Sequence, residues 1–341
     1  MVALTRFFYR LCLYVILFIA IINNVACEKV LGLKEPATDP VAVFDDFWHA
    51  IDRYYALFPV KGINWDSVYA VTKPQINAGL SGTDLFKKIN TAMDALKDGH
   101  VSLSSPQGSY TYEGFYKTFP VNFNLANIKK NYLLNQYTQY GPVIYKAVDN
   151  TGYLYYASFR EDMQDSELDA LFAALAPTKG LIIDVRSNNG GSLLNVERLF
   201  SRFINARKLV RYEVHKKGPG HNEFYEKEPA YVSPAGSYYS KPVIVLTNRG
   251  CFSACNDFVM YMSYLPNVRI AGDQTGGGGA VPANYLLVNG WKLQYSSSMT
   301  LSPDGISIEN GIRPGIVVGI TPIDETTGRD PILEKAYQLL Q

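Results

Sequence analysis

The sequence predicts an α/β protein: helices cover a sheet, and a small helical unit precedes it. Three observations carry this prediction. Apolar residues recur at helical spacing over Val41–Leu57. From Thr151 onward, apolar strands alternate with amphipathic helices. Two of those strands run into turns that open helices, where open α/β sheets place ligands.

With 341 residues, 47% of them apolar and 18% charged, the chain can bury a large core in one or two domains. A formal net charge of +1 supplies no electrostatic reason to bind nucleic acid, and none is expected as a partner. The 25 tyrosines and 17 phenylalanines suit grooves for extended apolar or peptide ligands.

Residues 1–27 read as a signal peptide. Arg6 and Arg10 precede the apolar run Leu11–Ile22, and small residues lead to Cys27. That run is shorter than the roughly 20 residues needed to cross a bilayer. Val25-Ala26-Cys27 resembles a bacterial lipobox, which makes Cys27 a candidate for lipidation and the membrane a partner through that lipid. Residues 28–40 form a proline-bearing linker. The region 41–100 is expected as a helical domain, with further helices from Trp65 and over Thr83–Leu96, the last capped by Ser81 or Thr83. Residues 101–150 alternate aromatic, apolar and polar residues and read as strands and hairpins. No glycine-rich carboxylate-binding loop stands out, so no PDZ module is expected. The core, 151–325, is expected to carry strands at Gly152–Phe159, Gly180–Val185, Pro242–Thr247, Val268–Gly272 and Trp291–Met299. Helices are expected at Asp165–Leu175, Leu193–Phe203 and Ala254–Tyr264. A C-terminal helix closes the chain over 326–341.

Two strand-end loops carry candidate chemistry. In Asp184–Gly191 two consecutive glycines leave backbone N–H groups free to face an anion, and Asp184 and Arg186 can pair to brace the turn. In Asn248–Ala254 a serine stands at a helix N-terminus, where unpaired N–H groups favour an oxyanion. Taken singly, the first loop reads equally as a plain glycine turn and Ser253 as an N-cap. A serine nucleophile needs a base. Of four histidines, His49 lies within a helix, while His215 and His221 fall in a Lys- and Gly-rich segment that reads as solvated. His100 sits at a helix-to-strand junction. Cys251 and Cys255 flank Ser253 and read as small buried hydrophobes, with a thiolate nucleophile or a mutual disulfide as alternatives. The sequence shows no metal-ligand cluster and no phosphate-binding loop, so no cofactor is expected.

These segments, taken in order, resemble the S41 peptidases. Leu96-Lys-Asp-Gly-His-Val-Ser-Leu103 is similar to the family's D-x-H segment, and Asp184–Gly191 to its D-x-R-x-N-x-G-G loop. Asn248–Asn256 is similar to its nucleophile segment, with Ser253 on the serine. Gly272–Gly279 matches a G-x-x-T-x-G turn, and Ile308–Pro314 resembles the closing E-x-x-G-[VI]-x-P-D segment. The resemblance implies a crotonase-like core and a tail-specific serine endopeptidase acting on extended or unfolded polypeptide. It assigns Ser253 as nucleophile, His100 as base, Glu309 as third member, and the N–H groups of Gly190 and Ala254 as oxyanion hole. Export to a bacterial periplasm or cell surface follows instead from the N-terminal signal pattern. The chain departs from the processing proteases, whose Ser–Lys dyad would need a lysine near Gly276–Gly279. It also departs from the tricorn-like branch, which has a serine where Gly99 stands and an aspartate where Gly315 stands. The same core resembles retinoid-binding repeats, so a non-catalytic module for an apolar or glycan ligand is the competing reading, and an ester hydrolase a third.

Overall fold

The computed structural model describes residues 39–341. The signal peptide and Cys27 lie outside the described residues. The N-terminal unit is helical. Helix α1 (Pro40–Tyr54) starts where Asp39 accepts from Val41 N and Pro40 occupies the first turn. A single-turn helix, α2 (Phe58–Lys61), ends on left-handed Gly62. Helices α3 (Trp65–Thr72) and α4 (Gly82–Asp94) follow, capped by Asn64 and Ser81. Such caps contribute about 1 kcal/mol each.

The unit does not fold over its own core alone. Strands β1 (Ser102–Ser105) and β2 (Gly108–Thr111) pair with β11 (Pro282–Leu286) and β12 (Lys292–Ser296), nearly 200 residues away, in the order β11-β12-β1-β2. Phe44, Phe47, Ile51, Trp65 and Met93 of the helices pack with Leu103, Leu287 and Leu293 of this sheet.

The central sheet has seven strands in the order β14-β10-β9-β6-β5-β4-β3. They are β3 (Thr138–Tyr140), β4 (Val143–Val148), β5 (Thr151–Tyr156), β6 (Gly180–Asp184), β9 (Val243–Thr247), β10 (Val268–Gly272) and β14 (Ile316–Val317). Strands β5, β6, β9, β10 and β14 run parallel, and β3 and β4 antiparallel. Every residue of β5, β6 and β9 is buried, because helices cover both faces. Helices α5 (Asp165–Leu175), α6 (Leu193–Phe200) and α7 (Ala254–Ser263) cover one face, and Ile332, Leu333 and Ala336 of a C-terminal helix (Pro331–Leu340) the other. A third, three-stranded sheet holds β7 (Lys208–His215), β8 (Glu228–Val232) and β13 (Ser298–Leu301).

The region 101–150 departs from expectation. Between Thr111 and Thr138 it contains short helical turns rather than hairpins. In that stretch Phe115 and Tyr116 line a cleft, and Phe119 lies against Arg249. His221 is likewise not a solvated loop residue. It pairs with Asp52 at 2.9 Å and stacks on Phe58 at 4.0 Å.

Candidate active site

Strand β6 ends at Asp184, whose carboxylate is buried and holds Arg186 through two parallel bonds, Nε–Oδ1 at 2.9 Å and Nη2–Oδ2 at 2.6 Å. Arg186 also reaches Asp330 at the C-terminal helix and the carbonyl of Asn122. This bidentate guanidinium–carboxylate pair fixes the start of the glycine loop. Strand β9 ends in Asn248, whose Oδ1 accepts from Ser187 and Gly250 N–H. The two loops are therefore pinned to each other.

Ser253 stands at the head of the buried helix α7 with φ 57° and ψ −129°. A non-glycine residue there costs on the order of 1–3 kcal/mol and persists only where its surroundings impose it. The imposing contacts are backbone bonds. Ser253 N–H donates to Gly277 O at 2.9 Å, Phe252 N–H to Asn188 O, and Gly276 N–H to Cys251 O. The turn Gly276–Gly279, where the sequence lacks a lysine, is thus a staple between the serine loop and Glu309. Gly278 N–H donates to Glu309 O, and Gly279 N–H to Glu309 Oε2.

His100 arrives from the junction of α4 and β1, 153 residues from Ser253, and its Nε2 lies 3.0 Å from Ser253 Oγ. Its backbone is held on both sides: N–H donates to Asp98 Oδ1 at 2.8 Å, and the carbonyl accepts from Gln294. Asp98 Oδ2 in turn accepts from Ser296. The Phe252 ring lies 4.7 Å from the imidazole, and Phe115 stacks on Phe252 at 4.3 Å. This pair explains Gly99, since a Cβ there would meet Phe115 at 2.5 Å and Phe252 at 2.8 Å. Burial, with Lys61 assisting and Asp98 opposing, pushes the imidazole below its ordinary value. It is neutral at pH 7 and able to accept a proton.

The cleft above these groups measures about 790 Å³ and is lined by His100, Ser253, Phe115, Tyr116, Arg160 and Gln294, among others. A peptide side chain finds both apolar and polar walls there.

Two expected roles meet a different geometry. Glu309 makes no hydrogen bond to His100. Its carboxylate is spent on Lys61 Nζ at 2.7 Å and on Gly279 N–H. His100 Nδ1 is buried and has no hydrogen-bond partner among the described residues. Gly190 does lie against the serine, for a Cβ on it would meet Phe252 O at 2.6 Å and Ala254 N at 2.9 Å, and its φ is +90°. But its N–H donates to Asn188 Oδ1 at 2.9 Å. Ala254 N–H, by contrast, finds no acceptor among the described residues.

The cysteines face inward. Both are free and fully buried, and both thiols point at the Val185 carbonyl. Burial raises the Cys255 thiol well above its usual range. Neither is placed to act as a nucleophile or joined to the other. Among the described residues no cluster of His, Cys, Asp and Glu could hold a metal, and no helix is long and apolar enough to cross a membrane.

Residues missed from the sequence are Asp98, Lys61, Tyr55 and Phe252. Asp98 lay inside a recognised segment, yet its role depends on Ser296 across the sheet. Lys61 sits in a short helix with no motif of its own.

Comparison with known proteins bears on the family and the fold. The profile of "Peptidase family S41" matches residues 150–318. The carboxy-terminal processing protease CtpA of Bacillus subtilis (strain 168) is 27% identical over 259 residues, which cover 75% of this chain and 46% of CtpA. The chain spans about a third to a half of the length of the curated relatives it matches. Mature CPAF, at 14% identity and TM-score 0.66, and the tricorn protease, at 15% and 0.56, share the fold. A crystal structure described as a candidate peptidase from Parabacteroides merdae ATCC 43184 is 39% identical with TM-score 0.86, over 89% of this chain and 97% of that one. That degree of likeness, over nearly the whole of both chains and through the α/β core with its helical N-terminal unit, decides the assignment: the chain belongs to peptidase family S41.

Proposed function

We propose that the protein is a serine endopeptidase that cleaves extended or unfolded polypeptide through an acyl-enzyme. The observation that carries the reading is the 3.0 Å contact between His100 Nε2 and the strained Ser253 hydroxyl, at the floor of an open cleft. Ser253 Oγ attacks the substrate carbonyl while its proton passes to His100 Nε2. His100 then returns the proton to the leaving amine, the scissile C–N bond breaks, and water releases the acyl group by the same relay. Ala254 N–H is the available oxyanion donor. Gly190 N–H becomes the second donor only on leaving Asn188 Oδ1, so substrate entry would complete the hole. Glu309 acts on the imidazole through neighbouring groups rather than by direct contact.

A fluorophosphonate that labels active serines tests this reading. Wild-type protein should be labelled at Ser253 and should cleave an unfolded polypeptide. Ser253→Ala should lose labelling and about 10⁶-fold in kcat with its melting temperature kept. Unlabelled, inactive wild-type protein would favour the binding-module reading instead.

The N-terminal pattern supports export and tethering by a lipid on Cys27. Expressed from the full sequence in a bacterium, the protein should partition with membranes, and Cys27→Ser should release it. Equal partitioning of both would remove the anchor.

A further inference from the structure

Behind His100, on the side away from the cleft, lies a buried polar cluster assembled from three separate parts of the chain. The helical unit contributes Lys61 and Tyr55, the α4–β1 junction Asp98, and the segment after β13 Glu309. Lys61 Nζ donates to Glu309 Oε1 at 2.7 Å and to the carbonyl of Lys97 at 3.0 Å, three residues before His100. The two charged side chains are 10% and 2% exposed. The Tyr55 hydroxyl is buried without a hydrogen-bond partner among the described residues, as is His100 Nδ1. Ala56 N–H donates to Ser296 O, and Ser296 Oγ to Asp98, so the backbone at 55–56 is locked onto the strand that braces His100.

We infer that Lys61 is a positioning residue for the Ser253–His100 pair, tying the base's proton affinity to the docking of the helical unit. This rests on the serine-peptidase reading above. Neither side chain need touch substrate. Lys61 is the cation paired with buried Glu309, while Asp98 holds the backbone of His100. The groups facing the imidazole region are Asp98 from its own junction, Lys61 and Tyr55 from the helical unit, and Glu309 from the opposite segment. Arg249, at the far rim, is engaged by Asp273 at 3.3 Å.

The sign follows from charge. Burial and Asp98 push the Glu309 carboxyl up to about 7, against the pull of Lys61 and Gly279 N–H. Lys61 lowers the proton affinity of His100, and Asp98 raises it. Without Lys61, Asp98 acts on the imidazole unopposed and His100 holds its proton to higher pH. Without the Asp98 charge, Lys61 acts alone and His100 loses its proton at lower pH. A separate pocket of about 270 Å³ is lined by Lys61, Glu309, Gly99 and Phe252.

The test is the rate of Ser253 labelling by a fluorophosphonate between pH 5 and 9, which needs no knowledge of the substrate. In wild-type protein the acid limb should lie below the ordinary histidine value. Lys61→Met should move it up by about one pH unit, a tenfold loss of rate on the acid side with little change above pH 8. Lys61→Arg should restore the wild-type limb. Asp98→Asn, which keeps the Oδ1 acceptor, should move it in the opposite direction. Should Lys61→Met fail to fold, Lys61→Gln carries the same test. The inference falls if the uncharged Lys61 variant and Asp98→Asn leave the limb in place, shift it the same way, or lower the rate equally at every pH. Wild-type protein that takes no label at Ser253 would instead overturn the serine-peptidase reading itself.

Discussion

The two halves of the site are held by different means. Around Ser253 the geometry is carried by backbone. Amides of the 248–253, 188–190 and 276–279 loops bond to one another, and the buried Asp184–Arg186–Asp330 ion network stands behind them. Around His100 the geometry is carried by side chains: the neighbouring Asp98, Ser296 and Gln294 from a distant strand, and Phe252 and Phe115 against the ring. A nucleophile in a strained conformation needs many short-range restraints acting together. A base must change protonation state during turnover, and its surroundings are set by charges that a neighbouring unit supplies.

Three substitutions sharpen this contrast. The largest effect is expected from Arg186→Met, which leaves Asp184 and Asp330 buried without their cation. The cost is about 3–5 kcal/mol of stability, with a large fall in denaturation midpoint. A midpoint within error of wild type would mean the ion network does not brace the serine half. Next is Gly190→Ala. The added methyl meets the backbone of Phe252 and Ala254 and requires φ +90° of an L-residue. Turnover and labelling should fall by 10²-fold or more, as for loss of an oxyanion donor. Retained activity would place the oxyanion elsewhere. The smallest is Asp98→Ala, which frees the His100 backbone and Ser296 but leaves Ser253 as it was. A misplaced base should slow labelling by about 10²-fold with little loss of stability. Large unfolding instead would show that the base half is as structurally committed as the serine half.

Much of this was legible in local pattern. The strands at 180–184 and 243–247 are almost wholly apolar runs, and helix 165–175 falls where expected, because burial on both faces of a parallel sheet writes itself directly into composition. The positions of Ser253 and His100 were readable as junction residues. The tyrosine-rich stretch after Thr111 misled, since aromatic residues serve a cleft wall as readily as a strand.

Sequence alone settled the element types of the α/β core, the two glycine loops and the family resemblance, since each motif depends on residues within a few positions of one another. Only the tertiary structure decided that β1 pairs with β12, that Glu309 answers to Lys61 rather than to the imidazole, and that Gly190 N–H is already engaged. Each of these joins residues whose separation along the chain says nothing about their distance in space. A buried charge takes whichever partner the packed chain brings within reach, and no local pattern records that choice.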